Sequence, residues 1–352
     1  MNSRSNSFDW WLITPPVLLS ILGLVVLRSI APDQLLPQII SFAIGIFVFL
    51  FFSFTDYKIF FALYLPIYLI SIIFLLTPFI FGVHSRGALR WLQFGTMTIQ
   101  PSELIKPFLI IAFTMAAIKL KKRYLIGLFL LPAAIIFAQP DLGTTLVISV
   151  SWLTVFLTKI SIRWIIVIGL ISILLVPSGW LILKSYQKDR IHSFLNPYSD
   201  PLGRGYHVIQ STIAVGSGQL FGRGLGHGTQ SQLKFLPEHY TDFIFASLTE
   251  ELGFVGGFLV IIFYSIILIR IYYLSKYTSN PAAAMFCLSN LALLTFQIFV
   301  NMGMNMSIAP ITGITLPFLS YGGSSLLSLA INFGLLSSIS REVKTSSSLQ
   351  IS

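Results

Sequence analysis

Five carboxylates stand in or against apolar stretches of this 352-residue chain: Glu103, Asp141, Asp242, Glu250 and Glu251. Ionisable side chains are costly at membrane depth and persist there when they are paired or used, so chemistry is sought at these positions first. Glu103 and Lys106, in QPSELIKP, lie three apart on a helix that Pro101 can open, so they share a face and neutralise each other. Such a pair serves either to fix helix packing or to hold a substrate. Asp141, between Pro140 and LGTTLVIS, has the position of an N-cap whose carboxylate accepts from the first free amides of the next span. Asp242 stands where the polar segment ending LKFLPEHYT meets FIFASLTEELGFVGG. Projected on a helix, Asp242, Ala246, Thr249 and Gly253 fall near one line, a stripe of small side chains below a carboxylate. Small stripes serve close helix packing; the alternative is a lipid-accessible groove with an acid at its mouth, as an enzyme acting on a membrane-anchored substrate needs. Glu238 and His239 share that turn and can tune the acid, which favours a functional Asp242.

Cations gather upstream of this acid. Lys184, Lys188, Arg190, Arg204, Arg223 and Lys234 outnumber Asp189, Asp200 and Glu238 between residues 184 and 240. Arginine suits phosphate oxygens because it offers two donors at once, so the excess fits an anionic partner, with anionic lipid headgroups as the simpler one. The run GSGQLFGRGLGHG follows no strand and lacks the GK[ST] of a phosphate loop, so it is not a nucleotide site. His192, His207, His227 and His239 show no zinc spacing. No dedicated metal site is expected, although a divalent ion such as Mg or Mn could bridge a substrate diphosphate to Asp or Glu.

The elements that position these groups are membrane helices. Of the residues, 55% are hydrophobic, 14% aromatic and 10% charged, and the mean hydropathy is +0.85, which excludes a water-soluble globular protein. The net charge of +10 then speaks for cytoplasmic loops and lipid headgroups, not nucleic acid. The single Cys287 builds neither a disulfide nor a cysteine metal site. Apolar runs at 10–30, 34–54, 59–83, 101–118, 124–139, 142–158, 162–183, 243–269, 282–306 and 314–339 predict about ten spans. The first is a retained helix, not a cleaved signal, and the fifth and sixth could form one kinked or re-entrant element across AQPDLGT. Basic residues at KLKKR, Lys159, Arg163, Arg270, Lys276, Arg341 and Lys344 fall on one side for an even count. That side is the cytoplasm, with both termini there. The expected fold is therefore all-α, one polytopic domain over 1–352. Its long extracytoplasmic loop, 184–240, joins helices 7 and 8 and shares the outer face with the HSRGALRW turn. In APITGITLPFLSYGGSS, Pro310, Pro317, Gly322 and Gly323 break helix continuity beside the same cavity.

With RGALRWL, QPSELIKP, QPDLGTT, RIHSFLNPYSDPLGRGYHVIQS, GTQSQLKFLPEHYTDFIFASLTEELGFVG and NMGMNMSIAPITGITLPFLSYGGSS in this order, the chain resembles the SEDS family (shape, elongation, division and sporulation). The GTQSQLKFLPEHYTDFIF and NMGM segments lean towards its RodA branch over its FtsW branch. The resemblance implies a peptidoglycan glycosyltransferase of the bacterial inner membrane that polymerises lipid II at the outer face during cell-wall elongation and shape maintenance. It implies a class B penicillin-binding protein, a transpeptidase, as partner. It places the essential acid at Asp242 of TDFIF, with Glu103, Lys106, Arg190 and Gln210 in supporting substrate-binding roles; Glu238, from its place in the Asp242 turn, is added as a further substrate-binding residue. Tyr240 stands where many relatives carry His.

A β-linkage made from an α-linked diphosphate donor requires inversion: a base takes the acceptor hydroxyl proton while cations steady the departing undecaprenyl diphosphate. Asp242 is the expected base; Arg190, with Arg204 or Lys234 in reserve, is the expected diphosphate ligand. A helix N-terminus at Asp242 would weaken the base, which burial beside Glu238 would have to offset. The rivals are a lipid flippase or transporter, with Glu103, Lys106 and Asp141 as a polar path gated by Asp242, and a non-catalytic scaffold for a wall transpeptidase. No internal repeat supports the transporter.

Overall fold

The computed structural model describes residues 8–85, 88–95, 97–164, 166–167 and 185–349. Fourteen α-helices among them are α1 Trp10–Ile30, α2 Leu35–Phe54, α3 Tyr57–Ala62, α4 Tyr64–Phe81, α5 Pro101–Leu104, α6 Lys106–Lys119, α7 Lys122–Ala138, α8 Leu142–Leu157, α9 Ser185–Leu195, α10 Tyr206–Ser217, α11 Thr229–Gln232, α12 Ile244–Tyr277, α13 Pro281–Asn305 and α14 Gly323–Leu349. Among the described residues six helical stretches are long and apolar enough to cross a membrane: Trp10–Ile30, Pro32–Phe54, Tyr64–Phe81, Ile244–Tyr277, Pro281–Asn305 and Gly323–Val343. The seventh expected span, 162–183, lies almost wholly outside the described residues.

Local chemistry accounts for departures from the expected spans. The third run divides at Leu63 into α3 and α4, and the fourth at Ile105 into α5 and α6, where Pro107, in the first turn of α6, has no N–H to continue the hydrogen-bond ladder back to Glu103. The fifth and sixth runs are two separate helices, not one kinked element. Trp152, near the end of α8, donates through its indole N–H to the Leu125 carbonyl, near the start of α7, at 2.9 Å, so the pair is antiparallel. The tenth helix begins at Gly323 rather than 314, since residues 306–322, with Pro310 and Pro317, form no helix.

Two segments expected as connections have structure of their own. Val83–Ser85, Ala88–Phe94 and Met97–Ile99 (β1 to β3) make an antiparallel sheet in the order β1-β2-β3, the one non-helical layer described. The long loop is built from α9, a 3-10 turn at Pro197–Ser199, α10 and α11.

Helix α14 runs through the interior: 83% of its apolar window is buried, against 11% for α2. The two pack through small residues. A β-carbon on Gly334 would come within 2.6 Å of Phe52 Cβ, and the Ser53 and Ser337 hydroxyls lie 2.8 Å apart. In a membrane, where burying apolar surface drives little, such close approach and interhelical hydrogen bonds supply the association. At the opposite end from the sheet, Arg270 of α12 clasps Asp9 with Nε at 2.8 Å and Nη2 at 2.7 Å, and Ser340 of α14 donates to the same carboxylate.

Candidate active site

Asp242 precedes α12 by two residues. It is half-buried in a turn that Glu238 initiates, with the Glu238 carbonyl accepting from Thr241 N at 3.1 Å and Phe243 N at 3.2 Å. The N-cap of α12 is Phe243, without a side-chain cap, so Asp242 does not cap this helix. Two buried asparagines of α13 hold its backbone. Asn301 Nδ2 donates to the Asp242 carbonyl at 3.0 Å and to that of Ile314 at 2.7 Å, and Asn305 Nδ2 donates to the Asp242 carbonyl at 3.2 Å. On the other flank, Tyr321 N donates to Tyr240 O at 3.0 Å and Ser320 Oγ to Thr241 O at 2.7 Å. The turn is thus pinned from α13 and from the irregular 306–322 segment, backbone of the kind that membrane proteins tolerate only against protein or a cavity.

That segment also gathers the other candidate groups. A β-carbon on Gly313 would lie 3.5 Å from Asp242 Oδ2; at φ +74° the position favours glycine. Next to it, the Thr312 carbonyl accepts from Arg190 Nη1 of α9 at 3.1 Å. The same carbonyl and Ile314 Cγ1 would each sit 3.0 Å from a β-carbon on Gly143, in the first turn of α8. Asp242, Arg190 and the start of α8 therefore converge on Thr312–Ile314.

Beside it lies a buried polar cluster. Asp141 caps α8, its Oδ1 accepting from Thr144 N at 3.1 Å. Its Oδ2 also accepts from Gln100 Nε2 at 2.6 Å and Ser102 Oγ at 3.2 Å, and Arg90 of β2 stands 3.6 Å from Oδ1. Lys106, 4% exposed, pairs with Glu103 at 2.6 Å, and Thr144 Oγ1 donates to the other Glu103 oxygen at 3.3 Å. The expected Glu103–Lys106 pair and Asp141 cap both form, and they join one network.

Helix α10 packs against the far side of the turn through Ser211 and His207, and Gln210, on the same helix, is half-buried. Ser211 Oγ donates to Asn305 O at 3.0 Å, and the His207 ring stacks on Phe243 at 6.1 Å between centroids. Among the described residues nothing bonds to the buried His207 Nδ1. Burial pushes the pKa of this imidazole down, and the Glu238 charge partly opposes that. Glu238 itself accepts from Thr241 Oγ1 at 2.9 Å. Its neighbour His239 turns inward, its ring nitrogens against the Leu236 and Ile30 carbonyls. Arg204 is exposed and tied to Asp189 at 2.7 Å, and Lys234 is exposed.

The stripe below Asp242 is packing. Ala246 and Thr249 are buried, and α12 is broken at Gly253, where φ is +68° and ψ −164°. The loop over the break restores its hydrogen bonds. Arg223 N and Gly224 N donate to Glu250 O at 2.9 Å and Glu251 O at 3.0 Å. Phe254 N and Val255 N donate to Gln219 O at 2.8 Å and Leu220 O at 3.1 Å. The glycine run thus serves this docking. The carboxylates of Glu250 and Glu251, both fully buried, fasten the same loop: Glu250 accepts from Gln230 N at 2.7 Å and Ser231 N at 3.0 Å, and Glu251 from Gly226 N at 3.0 Å.

Asn301, Asn305, Arg90 and His207 were not given roles from sequence. The asparagines carried a signal, two amides four apart in an otherwise apolar span. Arg90 carried only its place in RGALRWL, and His207 only its place in GRGYHVIQS and among the four loop histidines.

Residues 14–345 match the family model of the FtsW, RodA and SpoVE cell cycle proteins. Peptidoglycan glycosyltransferase MrdB of Escherichia coli (strain K12) is 41% identical over 282 residues, 78% of this chain and 76% of that protein. Stage V sporulation protein E of Bacillus subtilis (strain 168) is 33% identical, covering 97% of this chain and 99% of its own length. Among solved structures, a chain of a peptidoglycan synthase complex, described as coordinating polymerization and crosslinking, superposes with a TM-score of 0.83 at 32% identity over 96% of this chain and 99% of that one. The crystal structure of Thermus thermophilus rod shape determining protein RodA superposes with a TM-score of 0.72 at 26% identity over 97% of this chain and 99% of that one.

Proposed function

The chain belongs to the FtsW/RodA/SpoVE family, is a multi-pass membrane peptidoglycan glycosyltransferase of RodA-like type, and from that premise we propose that Asp242 is the base of an inverting polymerisation of lipid II. The observation that carries this reading is the pinned turn: a carboxylate whose backbone two buried asparagines hold, and whose Oδ2 faces the side-chain-free Gly313. A base held this firmly needs little reorganisation to meet a hydroxyl, which is the larger part of what positioning contributes to rate.

In the proposed step the acceptor sugar hydroxyl gives its proton to Asp242 as its oxygen attacks the donor's anomeric carbon. The bond from that carbon to the diphosphate oxygen breaks on the opposite face, and undecaprenyl diphosphate leaves with the electron pair. Arg190, beside Asp242 on Thr312–Gly313, is assigned to the diphosphate, and Glu103, Lys106, Gln210 and Glu238 to the substrate around it. Arg204, already held by Asp189, is a weaker choice than Arg190.

Among the described residues no three His, Cys, Asp or Glu side chains come together as a metal site. A divalent cation would therefore be carried on the substrate diphosphate, and no step here depends on it. The proposed setting is the cytoplasmic membrane, with both termini inside, the Asp242 turn outside and a class B penicillin-binding protein as partner. The complex resembled by this chain, described as coupling polymerization to crosslinking, supports that partner.

The test supplies labelled lipid II to purified protein, with and without its transpeptidase partner, beside folded Asp242→Asn and Asp242→Ala variants. Glycan strands from wild type and none from either variant is the expected result. Variants that polymerise normally refute the base; failure of every form, with partner and divalent cation present, favours the flippase reading, for which the buried Glu103–Lys106–Asp141 network would be the path.

A further inference from the structure

A cleft of about 430 Å³ opens between α4, α6 and α7, at the end of the bundle that carries the KLKKR run and away from the candidate active site. Its volume is in the range of small-ligand sites. Tyr64, Tyr68 and Leu128 wall it, and Arg123 and Tyr124 stand at its rim. Two exposed cations lie against aromatic rings at this cleft: Lys119 Nζ is 5.0 Å from the centre of the Tyr64 ring, and the Arg123 guanidinium 4.9 Å from that of Tyr124. Four of the five residues from 119 to 123 are basic, and no described carboxylate forms an ion pair with any of them.

Gly127 lines the same cleft from within α7. Glycine weakens a helix, and most helical glycines here are explained by a crowding neighbour, such as Leu319 O at 2.6 Å for Gly23 or Phe52 Cβ at 2.6 Å for Gly334. A β-carbon on Gly127 would meet no protein atom within 4 Å. No neighbour within the protein therefore explains this glycine, and the space it leaves belongs to the cleft.

We infer that this cleft is a binding site for one anionic phospholipid, its phosphate held between Lys119 and Arg123 and an acyl chain lying along Tyr64, Tyr68 and Leu128 past Gly127. Charge complementarity selects the headgroup: Lys119 and Arg123 are exposed, each lies against one ring, and their N–H donors can turn to a phosphate. The apolar wall distinguishes the site from the diffuse attraction that any basic loop exerts on a charged leaflet. The inference does not depend on the assignment of Asp242.

The test is native mass spectrometry of the detergent-solubilised full chain, titrated with phosphatidylglycerol and with phosphatidylethanolamine of the same acyl chains. One phosphatidylglycerol is expected to remain bound, about tenfold more tightly than phosphatidylethanolamine. Lys119→Gln/Arg123→Gln and the cleft-filling Gly127→Phe should each weaken it by about tenfold. Lys121→Gln/Lys122→Gln, which removes the same charge outside the cleft, should change it by less than about threefold. Equal binding of the two lipids, equal damage from the two charge pairs, or full binding by a folded Gly127→Phe overturns the proposal. Displacement of phosphatidylglycerol by an equimolar amount of undecaprenyl diphosphate also overturns it, and would give the cleft to a lipid-linked intermediate instead.

Discussion

Replacing Asn301 with alanine tests whether the Asp242 turn is held for catalysis or only for folding. Asn301 Nδ2 serves two carbonyls, Asp242 O at 3.0 Å and Ile314 O at 2.7 Å. A hydrogen bond between neutral groups contributes about 0.5–1.5 kcal/mol net, and a buried carbonyl left unpaired costs about 1–3 kcal/mol. Asp242 O keeps its bond from Asn305 at 3.2 Å, so its loss falls at the low end; Ile314 is buried and loses a short bond. The sum is a destabilisation of about 1.5–3.5 kcal/mol. Both carbonyls that Asn301 serves flank the contact between Asp242 and Gly313, and a shift of about 1 Å in a catalytic group costs about 100-fold in rate. Polymerisation of lipid II at saturating and limiting substrate should show kcat down about 100-fold with KM nearly unchanged, since the substrate ligands stay in place. Thermal unfolding in detergent reports the stability loss separately. An Asn301→Ala protein that unfolds earlier but keeps kcat within about twofold refutes the link between this clamp and the base.

Further outcomes follow from other parts of the structure. Lys106→Met leaves Glu103 without its 2.6 Å partner and should cost about 3–5 kcal/mol, most of it recovered in the Glu103→Leu/Lys106→Met double variant, as read by thermal unfolding. Gly253→Ala places a β-carbon within 2.2 Å of Gly222 N at a φ of +68°; a loss of more than about 2 kcal/mol in the same assay is expected. Burial depresses the folded pKa of His207 below its unfolded value, so the unfolded chain takes up the proton first as pH falls. Stability should therefore drop as pH falls through the unfolded value and level off below the folded one, and His207→Gln should flatten that part of an unfolding-versus-pH series.

Where a feature depended on neighbours in the chain, it could be read from sequence. The apolar runs gave the membrane helices, six of them long enough to span among the described residues; the three-residue spacing gave the Glu103–Lys106 pair, and Pro140-Asp141 before LGTT gave the cap. The prolines of 306–322 marked the irregular segment, though the last helix starts nine residues later than its hydropathy suggests. Features that depended on partners distant in the chain were hidden. Gly253 lies in an apolar run that reads as unbroken helix, and only Leu220 and Gly222 arriving from the loop require the break. Without that break the Asp242 stripe was open to two readings, a packing face or a groove. Asn301 and Asn305 looked like polar interruptions until the Asp242 carbonyl was placed between them, and Arg90 until β2 carried it to Asp141.

Exposed glycine-rich loops usually absorb insertions and deletions, because little depends on their length. The stretch 219–224 does not have that freedom, although Phe221 at its tip is 81% exposed. It supplies two acceptors on one side of the α12 break and two donors on the other, in fixed register. One added or deleted residue would shift only one pair relative to the other, so the two halves of α12 could not both be capped at once. The segment is in effect a measured spacer in a transmembrane helix that happens to be written elsewhere in the chain, and its length is as constrained as that of the helix it completes.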